Sequence, residues 1–288
     1  MKKEQTFYEY LISKRINLKT AKQYENETKL FESWAVENLL NPRETSYNEL
    51  LSYVDYNKEK GCKARTINQK IAILRHYFDF HKTKINPVGE LKLRGVIKLL
   101  PKTRLSSEEL DRIYKEYKDY NLIGKRNKVM LGFVVYQGVN SLELSVLKLE
   151  NIDLENGTIY IPKGHKSNSR LLELKAFQLL YIQNYILKTR PLLLEKTNKQ
   201  TDQFFITIGN GRNLNGVISR IIKQIKKIEP KVEGFQHLRA SLITNWIDKL
   251  GLRKAQYFSG HRYVSSTERY EVNSLENLKD NIDSFHPF

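Results

Sequence analysis

Three places toward the end of this sequence could carry chemistry together: Arg239, the pair Gly260-His261, and Tyr270 nine residues beyond that histidine. Ser265 and Glu268 between them have capping-box spacing, which predicts a helix that holds Tyr270 in its first turn or two. A tyrosine so placed is fixed by backbone, as a nucleophile must be. Attack by a phenol on a phosphodiester needs the phenol to lose its proton, the two non-bridging oxygens to be stabilised, and the leaving sugar oxygen to be protonated. Arginine offers planar paired donors to those oxygens, histidine stabilises them or moves protons near neutral pH, and lysine is a good proton donor. Such a reaction requires no metal, and the sequence has no His, Asp and Glu cluster at metal-ligand spacing. With 6 His and 17 Tyr in the chain, any one of these residues alone is ordinary. Their order and spacing carry the signal.

The charge distribution points to a polyanionic partner. The formal net charge is +17, from 49 Lys and Arg against 32 Asp and Glu, and such an excess attracts polyanions at long range. Residues 1–60 hold ten basic and ten acidic side chains, 61–100 nine and two, and 101–288 thirty and twenty. The excess therefore starts abruptly at Lys63, as a patch rather than a uniform coat. A single cysteine, Cys62, excludes an internal disulfide framework and a zinc site built from several thiolates, which fits a reducing cytosol. No stretch approaches the length of a membrane span, and MKKEQTFYEYL lacks the apolar run of a secretion signal. The expectation is a cytoplasmic, nucleoid-associated protein with no membrane partner.

The elements that would position these residues fall into two parts. From Thr20 to about Leu40, Tyr24, Phe31, Trp34, Ala35 and Leu39 recur at helical spacing. Ser46 and Glu49 have capping-box spacing and open a second helix that stops near Gly61. A third runs from about Arg65 with Ile67, Ile71, Leu74 and Phe78 on one face and Lys63, Arg65, Gln69, Lys70 and Arg75 elsewhere. Asn86-Pro87 breaks it, and LKLRGVIKLLPKTR (91–104) reads as an extended basic connection before another capping box at Ser106 and Glu109. Beyond it, helices are expected near 106–118 and 124–137. A hairpin follows from Thr158-Ile159-Tyr160-Ile161 and Leu171-Leu172-Glu173-Leu174, with helices near 175–189, 213–228 and from Arg239 to Leu250. The predicted fold is mainly α with a small β-sheet.

On these residues the whole chain resembles the tyrosine recombinases, the phage integrases and Xer-type enzymes. The resemblance rests on YQGVNSLELSVLKLENIDL (136–154), a hairpin lysine, FQHLRASLITNWI (235–247) and SGHRYVSSTERY (259–270), the last being the most diagnostic. In the first half, KTAKQYENETKLFESWA (19–35) and KARTINQKIAILRHYFDFH (63–81) are similar to the family's core-binding domain. The resemblance implies a helical core-type DNA-binding domain at 1–95, a basic linker at 96–104, and at 105–288 an α+β catalytic domain of the DNA breaking-rejoining fold. It implies site-specific recombination through a 3′-phosphotyrosine intermediate, without a cofactor. The partners it implies are duplex DNA with specific sites, three further copies in a tetramer, and an accessory directionality factor. Tyr270 takes the role of nucleophile, Arg239 that of second arginine and His261 that of second conserved polar group. The general acid is Lys166 or Lys163 in the hairpin turn, with Lys166 favoured. Lys63, Arg65, Gln69, Lys70, Arg75, Lys92, Arg94, Lys98, Lys102 and Arg262 would meet DNA.

The sequence departs from the family pattern at two positions. The first catalytic arginine falls at Asn140, and the histidine three places before the second arginine falls at Gln236, with His237 beside it. Losing one stabiliser of the transferring phosphate costs on the order of 3 kcal/mol, about 10²- to 10³-fold in rate. Arg262, Arg269 and Lys148 are the cations on offer to replace it. Two other readings stay open: a DNA-binding accessory protein that kept the fold and lost catalysis, and an enzyme that nicks and reseals one strand without exchange.

Overall fold

The computed structural model describes residues 5–83, 86–94, 103–164, 167–208 and 214–271. Lys98, Lys102, Lys166 and the tail after residue 271 lie outside them. The chain divides into two compact units, Met1–Lys98 and Leu99–Phe288.

Among its described residues the first unit has four helices: α1 (Phe7–Ser13), α2 (Leu18–Glu37), α3 (Tyr47–Glu59) and α4 (Ala64–Phe80). Ser46 caps α3 through the box with Glu49 that its spacing predicts, and Thr6 with Glu9 does the same for α1. The apolar stripes of α2, α3 and α4 meet in an aromatic core of Phe31, Trp34, Tyr53, Tyr77 and Phe78, joined by Ile67, Ile71 and Leu74. Phe31 meets Tyr53 edge to face with centroids 5.2 Å apart, a geometry favoured by the ring quadrupoles.

The second unit wraps helices around α6 (Leu122–Gln137), whose Met130, Leu131, Phe133 and Val134 are fully buried. Before it stands α5 (Ser107–Glu116), capped by Ser106 with Glu109. After it come α7 (Ser141–Val146) and a three-stranded antiparallel sheet of β1 (Ile152–Asp153), β2 (Thr158–Ile161) and β3 (Arg170–Glu173), in the order β1-β2-β3. The third strand and α7 were not expected. β3 also starts one residue earlier than its apolar run suggests, pairing Arg170 with Ile161. Side chains alternate along a strand, so Arg170 and Leu172 face inward and Leu171 and Glu173 outward.

The helix expected at 175–189 continues to Thr197. It runs as α8 (Ala176–Asn184), a π-turn over Tyr185–Thr189, and α9 (Arg190–Thr197). Pro191 has no N–H to give, and it is tolerated in the first turn of α9 with the wide turn wound ahead of it. Then come α10 (Asn215–Ile228), α11 (Phe235–Leu250) and α12 (Leu252–Ser259). α11 begins at Phe235 after Gly234, so Arg239 lies one turn inside the helix and not at its start. The apolar residues Phe235 and Leu238 set that earlier start because both are buried in the core.

Residues 265–271 are helical and carry Tyr270. Ser265 is itself helical, and the Glu268 N–H goes to the Val264 carbonyl at 3.0 Å, so the predicted Ser265 box is not the cap. Tyr270 instead leans on an apolar cluster of Ile243, Ile247 and Ala255 from α11 and α12.

Candidate active site

The site grows from the N-terminus of α7. Asn140, where the resemblance implies an arginine, is the cap of this helix: its Oδ1 accepts from the N–H groups of Leu142 at 2.9 Å and Glu143 at 3.0 Å. The Glu143 carboxylate returns the bond, accepting from the Asn140 N–H at 2.9 Å. This reciprocal box orients Glu143, which is buried. Burial pushes the Glu143 carboxyl up, and the Arg170 and Arg239 guanidinium groups with the Asn140 N–H more than offset it and hold the group below its ordinary range.

Arg170, inward on β3, binds Glu143 through two parallel hydrogen bonds, Nη1 to Oε1 at 2.8 Å and Nη2 to Oε2 at 3.0 Å. Arg239 approaches the same carboxylate from α11, with Nη1 3.9 Å from Oε2, and donates from Nη2 to the Ser259 carbonyl at 2.6 Å. Its Nη1 is buried and, among the described residues, has no hydrogen-bond partner, and the same holds for Nε of Arg170. Two guanidinium charges therefore share one carboxylate, and the cluster is left net positive.

The turn after α12 closes the other side. Gly260 ends α12 in the left-handed conformation with φ 70°, where glycine bears no steric cost. A Cβ there would lie 2.9 Å from Arg170 Cζ, so the glycine is required twice: by its φ and by the guanidinium against it. His261 follows. Its Nδ1 lies 2.9 Å from Thr267 Oγ1, and its ring stacks on that of Tyr270 with centroids 5.6 Å apart and planes 19° from parallel. Burial, Arg239 and Arg170 push its pKa down to about 4, so the imidazole is neutral at pH 7. Burial raises the Tyr270 phenol, against the pull of Arg239 and Arg269. The β2–β3 turn is fastened here too: Asn168 N–H donates to the Gly260 carbonyl at 2.9 Å, and Ser167 bridges to His261.

The structure thus brings Asn140, Arg239, His261 and Tyr270 to one place and adds Glu143 and Arg170, which the sequence reading did not single out. Glu143 was readable as the third residue after a capping Asn. Arg170 was hidden by the one-residue offset of β3. His237 is turned elsewhere: it is buried, its Nδ1 accepts from the Glu233 N–H at 3.2 Å, and its Nε2 meets the Thr103 carbonyl. It is a bracket between backbone segments and does not stand in for Gln236, which is exposed. Lys148 pairs with Asp202 at 2.8 Å and is likewise spent outside the site. Lys163 is exposed on the turn, and Arg262 is exposed with its guanidinium 5.7 Å over the Tyr263 ring.

In the first unit, Lys63, Arg65 and Gln69 are exposed at the start of α4. Asn68 clamps Leu93 by two hydrogen bonds, Nδ2 to its carbonyl at 2.9 Å and Oδ1 from its N–H at 2.8 Å. This holds the exposed Lys92 and Arg94 beside α4. Two neighbours are engaged within the unit: Lys70 pairs with Glu27, and Arg75 donates to the Gly89 carbonyl at 2.9 Å. Among the described residues no helix is long and apolar enough to cross a membrane, and no group of three His, Cys, Asp or Glu is arranged to hold a metal.

Comparison with known proteins matches residues 103–276 to the phage integrase family and residues 5–84 to the phage integrase N-terminal SAM-like domain. The chain is 27% identical to the tyrosine recombinase XerC of Oceanobacillus iheyensis, over 98% of this chain and 95% of that protein. It is 26% identical to the tyrosine recombinase XerD of Listeria monocytogenes, over 98% and 97%. Its fold is shared with XerH recombinase bound to a palindromic difH substrate, at TM-score 0.70 and 20% identity over 93% of this chain and 80% of that one. A lambda integrase dimer bound to a core site matches at TM-score 0.62 and 17% identity, over 92% of each chain.

Proposed function

This chain belongs to the phage integrase family, the tyrosine recombinases of site-specific DNA recombination, and we propose that it cuts and rejoins duplex DNA with Tyr270 as nucleophile. The observation that carries this reading is the buried Arg239 Nη1, without a hydrogen-bond partner among the described residues, in a net positive cluster beside the Tyr270 ring stacked on His261. A buried cation in excess of its carboxylates calls for an anion, and a phosphodiester supplies one negative charge.

The Tyr270 oxygen attacks phosphorus and the bond to the 5′ oxygen breaks. The phosphate passes to tyrosine as a 3′-phosphotyrosine, and a 5′-hydroxyl leaves with one added proton. Attack by a 5′-hydroxyl from another strand reverses the step, so no external energy source is required. Arg239 donates to a non-bridging oxygen. Neutral His261 donates to the phosphate from Nε2 in the tautomer in which the Thr267 hydroxyl donates to Nδ1. The proton for the leaving oxygen comes from the β2–β3 turn, from Lys166 or Lys163; that turn is fastened to Gly260-His261 through Asn168 and Ser167. The phenol, raised by burial, is protonated before attack; as it attacks, its proton passes to solvent, and the lysine that protonates the 5′ oxygen is reprotonated from solvent, so protons balance over the step.

In this reading Lys63, Arg65, Gln69, Lys92 and Arg94 contact phosphates from the first unit and Arg262 does so from the second; Lys98 and Lys102, outside the described residues, are given the same role. The working assembly in this reading is four copies on two duplexes, with an accessory factor setting direction. The domain boundary of this reading lies at the 96–104 linker.

The test is a nicked suicide duplex that traps the covalent complex. Wild type is expected to form an SDS-resistant adduct that Tyr270→Phe abolishes. Binding to the same site without adduct would favour an accessory DNA-binding protein, the reading that Asn140 motivates.

A further inference from the structure

We propose that Arg170 is a positioning residue of this site: it saturates Glu143, so that Arg239 stays free for the phosphate although position 140 supplies no cation. The inference rests on the reading of Tyr270 and Arg239 as a strand-transfer pair.

Glu143 is the pivot. A buried carboxylate must be paired, and two guanidinium groups are in reach. Arg170 holds both oxygens, at 2.8 and 3.0 Å, and the Asn140 N–H holds Oε2 again at 2.9 Å. Arg239 is left at 3.9 Å, an electrostatic neighbour without a hydrogen bond, and its Nη1 is unsatisfied. Were Arg170 absent, the Glu143 carboxylate would be the strongest acceptor facing Arg239. A charge-assisted pair between them would then consume the donor that the phosphate needs.

A pair kept only to hold β3 against α7 would be electrically neutral and complete. This cluster is neither, because a second guanidinium is brought to the same carboxylate and left with a free donor. The surrounding fold is shaped to allow it. The Arg170 side chain is fully buried, and Gly260 leaves room for its guanidinium where any Cβ would collide. That glycine immediately precedes His261, so Arg170 packs under the turn that carries a second group of the site. Asn140 contributes by holding Glu143 in the orientation that suits Arg170, through the box at the start of α7.

The experiment is single-turnover adduct formation on the suicide duplex, with noncovalent DNA affinity and thermal unfolding measured on the same preparations. Arg170→Met is expected to slow adduct formation by about 100-fold, as when one donor to the transferring phosphate is lost, while DNA affinity stays near wild type. Adding Glu143→Gln removes the charge that would capture Arg239 and is expected to restore most of the rate. A merely structural role predicts the opposite, with the double variant no faster than the single one.

Arg170→Lys decides the matter if Arg170→Met does not fold. One ammonium cannot hold both oxygens, so the rate falls and Glu143→Gln again raises it. A wild-type rate in folded Arg170→Met or Arg170→Lys, or no rescue in a folded double variant, overturns the proposal. If wild type forms a Tyr270 adduct and these variants behave so, only the role of Arg170 fails. If wild type forms no adduct on DNA it binds, the strand-transfer reading itself fails.

Discussion

His237 is buried and His261 half-buried, and their surroundings assign them different consequences. Burial, Arg239 and Arg170 push His261 down to about 4, while an unfolded histidine titrates near 6.5. Between those values the unfolded chain binds the proton and the folded one does not. The stability that neutral His261 contributes is therefore present above about pH 6.5 and lost as the pH falls toward about 4. His261→Gln should flatten that part of the pH dependence. Urea midpoints at pH 5 and pH 7 check this, and parallel losses in wild type and variant would assign the slope to other groups. His237 holds the Glu233 N–H and the Thr103 carbonyl. Its truncation to alanine leaves two backbone groups without partners and should cost about 1–3 kcal/mol of stability. The folded fraction should still form adduct at close to the wild-type rate, and comparing rate with unfolding free energy separates the two effects.

At the scale of elements, α7 ties packing to chemistry because its cap and its buried carboxylate form one motif. Asn140→Ala removes the side-chain acceptor for the Leu142 and Glu143 N–H groups and should cost about 1 kcal/mol. For a domain of this size that is a fall of about 2–4 °C in Tm, with slower adduct formation as Glu143 loses its orientation. A Tm lowered with no change in rate would separate the cap from the site. The same element shows what the sequence made legible. Boxes at Ser46 and Ser106 and the apolar stripe of α4 were readable because local hydrogen bonding and periodicity decide them. That Tyr270, His261 and Arg239 lie close together in the fold agrees with their spacing and the family resemblance. Asn140 was read as a lost cation because its capping role depends on Glu143 three residues on. Arg170 was missed because a four-residue strand fits its apolar run in two registers one residue apart, and only pairing with Ile161 turns the arginine inward. His237 stands beside Gln236 in sequence, but one residue along a helix turns a side chain by about 100°, and the start of α11 at Phe235 directs it to the Glu233 N–H and the Thr103 carbonyl.

For the whole molecule, the +17 charge matters only where cations are free to meet phosphates, and the structure sorts them. Lys70 and Arg75 are occupied by Glu27 and the Gly89 carbonyl. Lys63, Arg65, Lys92 and Arg94 are exposed, the last two held beside α4 by the clamp of Asn68 on Leu93. Each phosphate contact contributes about 0.9 to the slope of log affinity against log salt. Lys92→Gln combined with Arg94→Gln should therefore lower that slope by about 1.8 and weaken binding to specific and nonspecific duplexes alike. Lys70→Gln should leave the slope near wild type, because its ammonium is spent on Glu27, and should instead destabilise the helical unit. Fluorescence anisotropy across a salt titration reads the slopes directly. Equal slopes in the double variant and wild type would remove this face from the DNA path and shift the electrostatic contact to the catalytic unit. Asn68→Ala adds a stricter test, since it removes no charge yet frees the segment that carries two of them. Weaker binding in that variant would show that the clamp, and not charge count alone, makes the basic patch a DNA-binding surface.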